Sequence, residues 1–80
     1  KQEITIYPNP AQHTLHVSAI DNIEFIRVLN LTGQCVYEEL STEENLKYAE
    51  IPLHKLSSGY YIIQVQTNQE LTNKKFTISK

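Results

Sequence analysis

The chain has 80 residues, 40% of them hydrophobic and 20% charged, the balance of one small globular domain with a thin core. Seven Lys and Arg are scattered among nine acidic residues for a net charge of −2, so no basic stripe marks a nucleic-acid binder. No apolar run approaches the ~18 residues of a membrane span, and the single cysteine, Cys35, excludes an internal disulfide staple.

A chain that starts at Lys1, lacks methionine and shows no signal-peptide pattern reads as a piece of something longer. A first strand is predicted over residues 3–7, where Ile4 and Ile6 share a face. Tyr7-Pro8-Asn9-Pro10-Ala11 stops it: two prolines remove two backbone donors, fix two φ angles and keep Tyr7 and Asn9 out of the helical region. The result is a stiff corner before a second strand over 14–18, with Leu15 and Val17 inward. After Ile20-Asp21-Asn22 a third strand, 24–29, puts Ile26 and Val28 on one face. Leu31-Thr32-Gly33 turns the chain into a fourth, 34–39, with Val36 as its core residue. Ser41-Thr42-Glu43-Glu44 has the form of a capping box without an apolar stripe behind it, enough for one helical turn.

A fifth strand is predicted over 46–51, followed by a 3₁₀ turn at Leu53-His54-Lys55-Leu56 that ends at Gly59. The sixth, 60–67, alternates Tyr61, Ile63 and Val65; the seventh, 74–78, does the same with Phe76 and Ile78. Short strands spaced roughly ten residues apart predict an all-β fold, an immunoglobulin-like antiparallel β-sandwich of about seven strands. Ile4, Ile6, Leu15, Val17, Leu31 and Ile51 complete the expected core. The opposite faces of strands three, four and six are not polar as a solvent face should be. They carry Phe25 and Leu29, Cys35 and Tyr37, and Tyr60 and Ile62. With these strands in the C, C′ and F positions of such a sandwich, Phe25, Leu29, Tyr37, Tyr60 and Ile62 form one outward patch, a candidate partner surface.

No catalytic, cofactor or metal site emerges. His13 and His16, three apart on a strand, fall on opposite faces, and His54 has no second ligand at metal spacing. Asp21-Asn22-Ile23-Glu24 lacks the alternating oxygens of a calcium loop. Cys35 has no histidine placed beside it, and Ser57 and Ser58 sit in no nucleophile elbow. Gly33 and Gly59 are expected to supply positive φ at turns, and Tyr61 to be a core residue with its hydroxyl bonded to backbone. Lys74, Lys75 and Lys80 guard an edge strand by default.

Four motifs in order carry a resemblance: Tyr7-Pro8-Asn9-Pro10-Ala11; Val28-Leu29-Asn30-Leu31-Thr32-Gly33-Gln34; Leu56-Ser57-Ser58-Gly59-Tyr60-Tyr61; and Lys74-Lys75-Phe76. The chain resembles, from about Ile4 to Lys80, the C-terminal sorting domain (type A) of type IX secretion cargo. The family's pattern falls on Tyr7, Pro8, Asn9, Pro10, Leu31, Gly33, Leu56, Gly59, Tyr61, Lys74, Lys75 and the closing basic residue Lys80. Gln34 departs from it, since a basic residue often follows that glycine. The last strand is also less β-branched than usual.

The resemblance implies a non-catalytic, monomeric domain at the C-terminus of a larger secreted protein of a Gram-negative bacterium. The machinery implied as partner comprises an outer-membrane shuttle, a translocon and a sortase-like protease. This protease removes the domain and can attach the cargo to the surface, after passage through the periplasm. No cofactor, nucleic acid or membrane insertion is implied. Two readings compete with it. An accessory carbohydrate-binding sandwich could use Tyr37 and Tyr60, although the commonest sugar-stacking residue, Trp, is absent. A structural spacer would only shield a neighbouring enzyme domain.

Overall fold

A computed structural model of the protein describes residues 4–41 and 44–80. Seven strands form: β1 (Ile4–Tyr7), β2 (Thr14–Ala19), β3 (Ile23–Leu29), β4 (Cys35–Leu40), β5 (Tyr48–Pro52), β6 (Gly59–Thr67) and β7 (Leu71–Ile78). They make a three-stranded sheet, β1-β2-β5, and a four-stranded sheet, β4-β3-β6-β7, with every neighbouring pair antiparallel. This is the strand order A-B-E over C′-C-F-G of an immunoglobulin-like sandwich, with β3, β4 and β6 adjacent as expected. Among the described residues no helix is long and apolar enough to cross a membrane. The capping-box segment includes Thr42 and Glu43, which lie outside the described residues, as does Glu3 of the predicted first strand.

Alternation puts one face of each sheet into a shared core. Leu15, Val17 and Ile51 from one sheet meet Ile26, Val28, Ile63, Val65, Phe76 and Ile78 from the other, all buried. Ile4 and Tyr61 join them, and Ile6 packs against the cluster half-buried. Sequence alternation did not single out Ala11, Ile23 and Leu53, which are also buried. Ala11 and Leu53 lie outside the strands, where period-two patterning says nothing.

Two expectations fail at the β3–β4 hairpin. Val28 pairs with Tyr37 and Leu29 with Cys35, so Val36 is an extra residue, a β-bulge. One inserted residue inverts the facing of its successors: Tyr37 turns to the inner side beside Val28, and Cys35 stays on the exposed face. Val36 is half-buried and packs on the core from the rim. Leu31, placed in the expected core, is instead 70% exposed. It occupies the tip of a turn that needs no apolar anchor. Asn30 Oδ1 accepts bonds from Thr32 N–H at 3.1 Å, Thr32 O–H at 2.8 Å and Gln34 N–H at 2.9 Å, while Gly33 N–H donates to Asn30 O at 3.0 Å. Gly33, at φ +88°, closes it in a conformation that favours glycine.

Tyr37 O–H donates to Glu39 Oε1 at 2.8 Å on the inner side of edge strand β4. Burial, then Glu39's hydrogen bond and charge, push the Tyr37 phenol up to about 12. The folded phenol therefore keeps its proton where an unfolded one, near pH 10, has lost it. Stability from this group is complete below pH 10 and is lost as pH rises toward about 12. Tyr48 is raised in the same direction, by burial and then by Glu50. Urea midpoints measured across this window are expected to fall, and to fall less steeply in a Tyr37→Phe variant.

Candidate functional site

Because each sheet is antiparallel, β1, β3 and β5 end at the same pole of the sandwich, and β7 ends there too. The loops 8–13, 30–34 and 53–58 and the C-terminal residues thus gather at one end, and three of the four motifs lie in those loops. The fourth, on β7, runs into it. Strand direction does this: the loops after odd-numbered strands are tens of residues apart in sequence and neighbours in space.

The Pro-Asn-Pro corner is bound to the end of β7. Both X-Pro bonds, Tyr7-Pro8 and Asn9-Pro10, are cis. Asn9 Oδ1 accepts Thr77 N–H at 3.0 Å. Ala11 N–H donates to Thr77 O and Ser79 N–H to Ala11 O, each at 2.8 Å, which makes a short parallel bridge between Ala11 and Ile78. Tyr7, at the end of β1, stacks on its cross-strand partner His16, with ring centroids 5.1 Å apart. His16 Nδ1 in turn lies 2.5 Å from Tyr48 Oη and 3.7 Å from Glu50 Oε2. His13 precedes β2, and both histidines line one open groove along Pro8 and Pro10 rather than opposite faces. Among the described residues no three of His, Cys, Asp and Glu gather where they could hold a metal ion.

The Leu-x-x-Gly-x-Tyr motif is a tyrosine corner at the entry to strand F. Tyr61 is buried and its O–H donates to Ser57 O at 2.8 Å, as a core tyrosine requires. Leu56 N–H closes a turn on Leu53 O at 3.0 Å, and Leu56 is half-buried on the core. Gly59 lies at φ +152°, a conformation that L side chains rarely adopt. Tyr61 stacks on Phe76 of β7 at 5.8 Å between centroids. Lys80 then returns to this loop: its N–H donates to Ser58 Oγ at 3.1 Å and its Nζ to His54 O at 3.4 Å. Asn30 and Thr77 hold this end together; Asn30 lies within the second motif, and Thr77 carries no signal in the sequence. For Asn30 the signal was an Asx residue opening a glycine turn.

On the outer face of the four-stranded sheet, cross-strand partners fix which patch residues meet. Leu29 lies opposite Ile62, Ile62 opposite Lys75 and Tyr60 opposite Thr77. Leu29, Ile62 and Tyr60 therefore come together near the motif pole, Tyr60 being 67% exposed. Phe25 is not with them. Arg27 intervenes on the same face, its guanidinium 4.3 Å over the Phe25 ring and its Nε 2.8 Å from Glu38 Oε2. Tyr37, turned inward by the bulge, is not on this face either. The expected patch of five residues thus reduces to three, extended by Leu31. Leu31, Tyr60 and Ile62 border a groove of about 400 Å³ lined also by Asn9, Lys75 and Thr77, so that each of the four motifs contributes to its wall. Of the remaining motif lysines, Lys74 is half-buried in the middle of β7, opposite Ile63.

Comparison with known proteins is consistent in extent with this geometry. The family model described as secretion system C-terminal sorting domain matches residues 5–79. No curated protein matches the chain.

Proposed function

The chain belongs to the family of secretion system C-terminal sorting domains, and we propose that it acts as a folded address rather than as a linear tag, read by shape at the motif pole. Its role is that of a sorting signal for type IX secretion, which directs an attached protein across the outer membrane. The convergence of four dispersed motifs on one pole carries the folded-address reading, since no contiguous peptide contains them. In this reading the domain performs no chemistry of its own. It is the C-terminal, monomeric part of a longer secreted protein and crosses the periplasm before it meets the machinery. There an outer-membrane shuttle and translocon receive it, and a sortase-like protease releases it. Leu29, Tyr60 and Ile62 belong to the surface presented, whereas Tyr7, Pro8, Pro10, Gly33, Leu56, Gly59 and Tyr61 shape it.

A carbohydrate-binding role is less well supported, because Tyr37, one of the two tyrosines that would have formed a stacking row, faces the core side of its sheet. A fluorescent protein with an N-terminal export signal, fused to these 80 residues, is expected at the cell surface or in the medium of a host with a type IX system. Periplasmic retention in that host would defeat the sorting role.

A further inference from the structure

We propose that the groove at the motif pole docks an acidic protein surface that presents one apolar side chain between carboxylates. The inference rests on the sorting role above and adds the chemistry of the partner. Leu31 begins it. Asn30 and Gly33 already fix the turn, so the fold gains nothing from an apolar residue at its tip, and yet Leu31 is 70% exposed above a groove that Tyr60, at 67%, also borders. Leu29 and Ile62 extend that apolar surface along the sheet.

Charge defines the rest of the occupant. The three loops at this pole, 8–13, 30–34 and 53–58, contain no Asp or Glu and include Lys55. Lys75 lines the groove, and among the described residues neither Lys75 nor Lys55 has a carboxylate within ion-pair distance. Lys80 adds a third side-chain cation beside His54, offset by the terminal carboxylate where the chain ends at that residue. Loops at the opposite pole carry Asp21, Glu44 and Glu70, against a single lysine, Lys47. A small domain polarised in this way presents its positive end to a negative partner during encounter. The partner is a protein rather than a bilayer. A concave site of about 400 Å³ suits an inserted side chain, and three lysines fall short of the four to eight that mark anionic-lipid binding.

The fusion described above tests this with four substitutions, and the melting temperature of each isolated domain is measured alongside. Leu31→Asp and Lys75→Glu are each expected to lower the exported fraction about 10-fold. Lys75→Arg and Leu40→Asp, the latter at the opposite pole and equally exposed, are expected to leave it unchanged. All three positions are at the surface, so melting temperatures should stay within about 4 °C of the parent. Unchanged export of Leu31→Asp, or of Lys75→Glu, overturns the proposal, the second because the partner is then not acidic. Sedimentation of the parent domain with phosphatidylglycerol vesicles, lost in Lys75→Glu, would overturn it in favour of a membrane surface. Failure of the unsubstituted fusion to leave the periplasm would instead sink the sorting role itself.

Discussion

A Phe76→Ala domain is expected to lose a large part of its stability and, with it, much of its export. Phe76 is buried on β7, an edge strand of the four-stranded sheet, and its ring stacks on Tyr61. Removing a buried phenyl costs about 3–5 kcal/mol, transfer and cavity together. At roughly 0.05–0.15 kcal/mol per residue the whole domain is worth only about 4–12 kcal/mol. The loss is local as well as global, because β7 is held to the sheet by β6 alone along most of its length. Phe76→Leu keeps most of the volume and should cost about 1–2 kcal/mol. Urea unfolding of the three proteins checks the order. An alanine variant within about 1 kcal/mol of the parent would mean that the Tyr61–Phe76 contact does not hold β7 on β6.

Ala11→Leu is the second large effect, and it separates the motif's physical role from any direct contact with a partner. Ala11 has no exposed surface, and its amide and carbonyl are both committed to β7 through Thr77 and Ser79. The backbone therefore cannot move aside for a larger side chain. Overpacking of this kind costs about 1–3 kcal/mol. The strain falls on the bridge, so amide exchange at Thr77 and Ser79 should accelerate far more than in the β2–β5 ladder. Uniform acceleration across both sheets would show that the corner does not specifically anchor the last strand.

These two residues also measure how far the sequence could be read. Phe76 was legible because alternation along an uninterrupted strand reports burial directly, and the same held for Ile26, Val28, Ile63 and Val65. Ala11 was not, because a small residue in a proline corner has no period to betray it. Tyr37 was misplaced for a third reason: the bulge at Val36 shifts parity by one, and nothing in Cys35-Val36-Tyr37 announces an extra residue. For Leu31 the general preference of apolar residues for the interior predicts a core position. Only the bonds that Asn30 Oδ1 accepts show that the turn stands without it. The gathering of motifs at one pole was within reach, since in an all-antiparallel sandwich the loops after odd strands share an end. The division of the outer patch by Arg27 depended on register and became visible only with the strands paired.

The bridge between residues 9–11 and 77–79 joins segments separated by almost the whole domain. Ribosomes deliver the corner early and its partner last. Until Lys75, Phe76 and Thr77 have emerged, one wall of the groove does not exist, and Asn9 and Ala11 have nothing to bind. A chain that stops even a few residues short of Thr77 has no finished groove to present. On the proposed reading of this pole, the label thereby certifies completeness as well as destination, and a truncated cargo would be withheld without any separate inspection step.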